Sequence, residues 1–275
     1  MSAPRHLGSP TGLRPGDHAC WTYADPAELA AAVLPYLDEG RRRGEQLLLV
    51  GESRAVLVEA LAGLPDRDRL LESGQLEVRT TAEGYATDTA FSPAEQVEHY
   101  RELTRAAVDR GRTGLRVAAD VSPLARQDLH HLYAYEQAAD VLMGEVPMTA
   151  LCLYDASLGV DVLGPVVVLH PDQHHGRRPP LAHLSGRGRS LALRGEVDLT
   201  EAAHVARALL DVAGSRPGVL DLDLTDLTFL DVAGARALAR TVAELAGRGV
   251  VVRLVGAQRS PARCLALFGL NAEPA

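Results

Sequence analysis

His18 and Cys20 place an imidazole and a thiol two positions apart, in "DHACWTY", beside Trp21 and Tyr23. Both groups ligate metals and haem iron. Cys152 and His170 offer the same chemistry much later in the chain, and Asp120 and Glu136 add carboxylates. Asp120 closes the apolar run "GLRVAAD", and in open α/β sheets ligands sit beyond the carboxyl ends of strands. Glu136 follows in a helical pattern, "HLYAYE", with Tyr133 three residues earlier on the same face. Three readings stand. A His/Cys pocket could hold a metal or haem, although the spacing is not diagnostic. His18, Asp120 and Glu136 could line a pocket for a small molecule or signal. Cys20 and Cys152 could instead be core residues, with His18 capping or bonding a loop. The expected ligand-binding set is His18, Cys20, Asp120 and Glu136, with the cofactor unassigned and no metal site assigned.

Other chemistries find little footing. The chain contains no lysine, which excludes a Walker A lysine, a Schiff-base lysine and a pyridoxal-phosphate lysine together. "LLLVGESRAVL" has one glycine after its strand and no GxxxxGK, so the β- and γ-phosphates and Mg²⁺ lose their anchors. Ser53 does not make GxSxG, and Ser122 near His130 makes no triad. "HPDQHHGRR" clusters His170, His174 and His175 in a Pro/Gly-rich segment without a rigid outer shell, so a solvated linker is the expectation. No catalytic residue is expected.

The elements that must position these residues can be read from periodicity. The 275 residues suit two domains, and 47% hydrophobic content is ample for two cores. A net charge of −8 argues against nucleic acid and against an anionic membrane surface. No apolar run approaches the roughly 20 residues of a membrane helix, so a cytoplasmic protein is expected. The three cysteines form no CxxC and no disulfide framework. "EQLLLVGE", "GQLEVRTT", "GLRVAAD", "MTALCLYD" and "PVVVLHP" read as strands. "AELAAAVLPYLDEGRRRG", "RAVLVEALAGL", "SPAEQVEHYRELTRAAVDRG" and one long "LARQDLHHLYAYEQAADVLMG" read as helices. That alternation predicts a parallel α/β domain. After a Pro/Gly/His/Arg-rich seam the rhythm repeats on a smaller scale. Residues 1–14 are expected to be disordered, 15–171 to form the first domain, 172–184 the linker and 185–275 the second domain.

"LRGEVDLTEA" followed by "LDLDLTDLTFLDVAGARAL" resembles the STAS domain, the fold of anti-sigma factor antagonists. In that family the turn before the helix carries Asp-Ser-Ser/Thr-Gly, and a partner kinase that doubles as the anti-sigma factor phosphorylates a hydroxyl there. Phosphate at a helix N-terminus is well held and adds nearly two negative charges. Here Val232 and Ala233 stand at the hydroxyl positions, and neither accepts phosphate. Asp231 is the expected N-cap, and Gly234 is expected to allow close packing. The resemblance implies a docking surface of Glu196, Asp198, Asp231, Val232, Ala233, Gly234 and Arg236, with Asp198 also a candidate cap for the preceding helix.

"PGDHACWTYADPAELAAAVLPYLDEGRRRGEQLLLVGE", "SPAEQVEHYRELTRAAVDRGRTGLRVAAD", "YAYEQAAD" and "LCLYD…VVLHP" resemble the MEDS sensory domain, found in a dichloromethane-responsive regulator. The family looks like a degenerate relative of RecA/KaiC-type folds. The resemblances together imply a RecA/KaiC-like parallel-sheet domain lacking Walker A, followed by a smaller STAS-like α/β domain. They imply a bacterial signalling protein that regulates transcription through an anti-sigma factor of the histidine-kinase-like ATPase class or another regulatory protein. The competing class is a nucleotide- or small-ligand-binding RecA-like enzyme with an accessory STAS domain.

Overall fold

A computed structural model describes residues 4–84, 92–174, 181–213 and 217–273. In chain order the elements are β1 (Arg5–His6), β2 (His18–Tyr23), α1 (Pro26–Arg43), β3 (Gln46–Gly51), α2 (Arg54–Ala60), α3 (Arg67–Glu72), β4 (Leu76–Thr80), α4 (Thr81–Gly84), α5 (Pro93–Asp109), β5 (Leu115–Asp120), α6 (Ser122–Gln127), α7 (Leu129–Met143) and β6 (Met148–Asp155). They continue with α8 (Val160–Val168), β7 (Asp172–His174), β8 (Ala182–Arg187), β9 (Ser190–Val197), α9 (Ala202–Ala213), β10 (Gly218–Asp223), β11 (Leu227–Leu230), α10 (Val232–Gly247), β12 (Val250–Val255), α11 (Arg259–Ala266) and β13 (Ala272–Glu273). The chain divides into two compact units, one built on Leu7–Gly159, the other on Val160–Gln173 and the described part of Arg177–Ala275.

In the first unit β2, β6, β5, β3 and β4 lie side by side in that order, all parallel. Strand side chains alternate between faces, and the two faces differ. Ala19, Trp21, Leu47, Leu49, Ala118, Leu151 and Leu153 join Leu29, Val33, Tyr36, Leu37 and Leu57 in one apolar core under α1 and α2. The alternate residues, among them His18, Cys20, Ala150, Cys152 and Tyr154, face the other way.

Helix α1 starts at Asp25, whose carboxylate accepts from the Ala27 and Glu28 amides, and stops at Gly44 in the left-handed region. Its last turn carries Arg41, Arg42 and Arg43, where cations meet the negative end of the helix dipole. Helix α5 opens as its sequence predicts, with Ser92 accepting from the Glu95 amide and Pro93 at the first position.

The second unit holds β11, β9, β10, β12 and β13 in parallel neighbouring order, with β8 antiparallel on β9. Among the described residues, no helix is long and apolar enough to cross a membrane.

Several elements differ from the sequence reading, among them β2, which carries His18 and Cys20 and was not read as a strand. "PVVVLHP" is not a strand: its valines belong to α8, whose residues Leu163–Val168 are all buried. A short apolar run buried all round carries no periodicity to separate the two forms. The long helix after β5 is two helices, broken at Asp128, whose extended backbone (φ −153°) ends α6 and caps α7 at the His131 amide. Residues 4–14, expected to be disordered, include β1, and Leu13 is buried in the core, with the Gly12 amide donating to Glu39. The seam also carries structure, because 172–174 and 182–187 are strands that find partners. Met1–Ala3 and 175–180 lie outside the described residues.

Candidate functional site: a buried His–Glu–Cys cluster and a capped helix entrance

Parallel pairing sets β2 beside β6, with Cys20 opposite Cys152 and His18 opposite Ala150. Helix α7 covers this face and presents Glu136 and Asp140, four residues apart on one side. Five side chains converge. His18 Nε2 lies 3.2 Å from Glu136 Oε2 and 3.4 Å from Cys152 Sγ. Cys152 Sγ lies 3.6 Å from the same carboxylate oxygen. Tyr154 donates its hydroxyl to the other oxygen, Oε1. His18 Nδ1 faces Asp140 Oδ1 at 3.7 Å. All of this is enclosed: His18 and Glu136 are 0% exposed and Cys152 5%.

The environment shifts the titrating groups. Burial by itself would push the His18 imidazole down. Cys152, with the nearby Asp140 and Glu136 carboxylates, outweighs it and holds His18 well above the ordinary range. Burial, then Cys152 and Glu136, push the Cys20 thiol up. Burial and Glu136 do the same to Tyr154. Such a cluster can exchange protons internally or hold a cation. Beside it lies a cavity of about 10 Å³, room for about one water. Its lining includes His18, Cys152, Tyr100, Tyr135, Met143 and Ala119.

The expected set is therefore divided. His18, Cys20 and Glu136 share this face. Asp120 does not: it ends β5, accepts from the Tyr23 hydroxyl at 3.0 Å and caps the Ser122 amide at 3.1 Å. Tyr23 packs against the opposite, α1-side core. Cys152, Tyr154 and Asp140 were not in the expected set. The i,i+2 pair Cys152/Tyr154 and the i,i+4 pair Glu136/Asp140 are the sequence signals that would have found them. His170 is buried after α8, with Nδ1 2.8 Å from the Val166 carbonyl. His174 stacks on Trp21 with ring centroids 3.8 Å apart. Neither takes up the solvated linker role expected for that segment, and His175 lies outside the described residues.

The second unit offers a different arrangement. Asp231 caps α10: Oδ1 accepts from the Gly234 amide at 2.7 Å and Oδ2 from the Leu199 amide at 3.0 Å. A Cβ on Gly234 would stand 2.7 Å from the Val197 carbonyl oxygen, so this turn requires glycine. Val232, where a hydroxyl would be phosphorylated, is 57% exposed, and Ala233 is half-buried. Glu196, Arg236, Leu199 and Phe229 are exposed, with Phe229 paired to Glu196 across β11 and β9. Asp198 acts as a cap, accepting from the Thr200 and Glu201 amides. Thr228 donates to the Gly195 carbonyl from within β11.

One parallel α/β unit carries a polar cluster buried under a helix, and a smaller α/β unit carries a capped and exposed helix entrance. The model of the MEDS family, the "MEthanogen/methylotroph, DcmR Sensory domain", matches residues 17–171, and the chain belongs to this family. The STAS domain model matches residues 184–274. The pairing of a sensory domain with a STAS domain supports a signal-transduction module. No curated protein matches the chain.

Proposed function

We propose that the chain senses a small molecule through its MEDS unit and docks a regulatory protein through its STAS unit, acting by binding and not by catalysis. The partner is an anti-sigma factor of the histidine-kinase-like ATPase class, and the outcome is altered transcription. The observation that carries this reading is the α10 entrance. It keeps the capped, tightly packed turn of a docking element, yet presents the Val232 isopropyl group where a phosphate would attach. Docking there is therefore permanent with respect to phosphorylation, and regulation falls to the first unit.

The test is retention of such a kinase on the immobilised full chain. Val232→Asp puts a carboxylate into the apolar contact and should abolish retention while leaving the thermal midpoint nearly unchanged, since surface changes of this kind cost within about 0.5 kcal/mol. Retention untouched by Val232→Asp overturns the surface. A phosphoryl group found on residues 228–236 after exposure to the kinase overturns the loss of the switch. ATP turnover that depends on a residue of the buried cluster overturns the binding-only reading.

A further inference from the structure

We propose that His18, Glu136 and Cys152 are ligands of a divalent transition-metal ion of the zinc class, held inside the first unit between the β2/β6 face and α7. The inference goes beyond the signalling reading and stands on geometry and donor chemistry.

Zinc binds at about 2.0–2.1 Å from imidazole nitrogen, 2.0–2.2 Å from carboxylate oxygen and 2.3 Å from thiolate sulfur. At tetrahedral angles those lengths place N and O about 3.3–3.5 Å apart, and sulfur about 3.5–3.7 Å from either. The observed edges are 3.2 Å for His18 Nε2 to Glu136 Oε2, 3.4 Å for His18 Nε2 to Cys152 Sγ and 3.6 Å for Cys152 Sγ to Glu136 Oε2. The three donor atoms thus form one face of a tetrahedron whose edges fall within about 0.1 Å of the required lengths. Three hydrogen-bonding groups could share such a triangle. One supporting hydrogen bond of the kind metal ligands use is already made, and a carboxylate stands near the second position. A metal-bound imidazole turns its other nitrogen to a carboxylate, and a metal-bound carboxylate has its spare oxygen hydrogen-bonded. Here His18 Nδ1 faces Asp140 and Glu136 Oε1 accepts from Tyr154.

Charge points the same way. Two side chains that ionise to anions, Glu136 and Cys152, lie fully enclosed with one imidazole. A divalent ion bound to a carboxylate, a thiolate and a neutral imidazole leaves no net charge among them, and its binding releases the thiol proton. A mixed nitrogen, sulfur and oxygen set selects a borderline ion over Mg²⁺ or Ca²⁺, which take oxygen.

The test uses the full chain, reduced, treated with chelator and titrated with Co²⁺ and then Zn²⁺. The expected result is one Co²⁺ per chain with a near-ultraviolet thiolate-to-cobalt charge-transfer band that Zn²⁺ bleaches. Cys152→Ser removes the band, whereas Cys264→Ser, in the other unit, leaves it. Tyr154→Phe keeps the band but weakens affinity about 10- to 100-fold, the effect of an outer-shell partner. A chain that stays metal-free in stoichiometric Co²⁺, or a band that survives Cys152→Ser, overturns the site. If Cys152→Ser does not fold, X-ray absorption at the zinc edge of the zinc-loaded native chain decides. One sulfur among nitrogen and oxygen neighbours supports the site, and a shell without sulfur overturns it. Kinase retention by Val232 is measured separately, so the metal site and the docking surface can fail independently.

Discussion

The first unit buries two charged clusters, one on each face of a single sheet. On the α1 side Arg116, 0% exposed, binds the buried Glu45 carboxylate, donates to the Leu13 carbonyl at 2.9 Å and lies 4.6 Å from the Tyr36 ring centre. Gly40 in α1 makes room for it, since a Cβ there would meet Arg116 Cδ at 2.5 Å. On the α7 side His18, Glu136, Cys152 and Tyr154 converge beside a cavity. Both clusters are equally dry, so burial of charge is not what separates them. The first joins a permanent cation to its anion inside close-packed aliphatic side chains. The second gathers groups that each change charge by a proton, and that are also metal donors. A sheet can thus spend one face on holding itself together and keep the other for chemistry.

Breaking the first cluster should have the largest effect. Arg116→Ala strands Glu45 and should cost about 3–5 kcal/mol, read by urea unfolding through Trp21, which packs on the same face. An equal loss from the second cluster would erase the contrast. There, Tyr154→Phe removes one donor to Glu136 and should cost about 1–3 kcal/mol in metal-free protein by the same assay. The smallest effect sharpens the comparison at the sheet's end. Burial raises the Asp120 carboxyl above its ordinary range, against Ser122, Tyr23 and Arg126, which lower it. A raised carboxyl contributes stability below its unfolded value and loses it as pH rises through the folded one. Asp120→Asn does not titrate, so its stability relative to the native chain should grow from acidic to neutral pH. A flat difference would show that Asp120 is not held protonated by burial.

Much of this was legible in the sequence, and the losses have physical causes. The alternation of strands and helices gave the class of both units, and local capping rules located the starts of α5 and α10 at Ser92 and Asp231. Val232 and Ala233 announced a missing hydroxyl because the turn around them was otherwise intact. The buried cluster was half visible. His18 and Cys20 stand out as a pair, but their neighbour Cys152 is 134 residues from His18 in sequence. It becomes a partner only because β6 inserts beside β2, a choice of strand order that periodicity does not encode. Asp120 lies apart from the cluster for the same reason: a strand end is legible, whereas the face its last side chain turns to depends on register and on Tyr23. Helix α8 defeated the pattern because Leu163–Val168 is buried throughout and carries no polar residue to mark a period.

That last helix also bears on how the protein can be dissected. Although residues 160–171 fall within the MEDS match, α8 packs on α9 and β8 and belongs to the STAS unit. A fragment begun at the recognised start of the STAS domain would leave behind the buried stretch Leu163–Val168 and bare the surface it covers, inviting aggregation. A cut after Gly159 keeps α8 with α9 and β8, but it parts β1 from β7 and His174 from Trp21, so no single cut separates the two units cleanly.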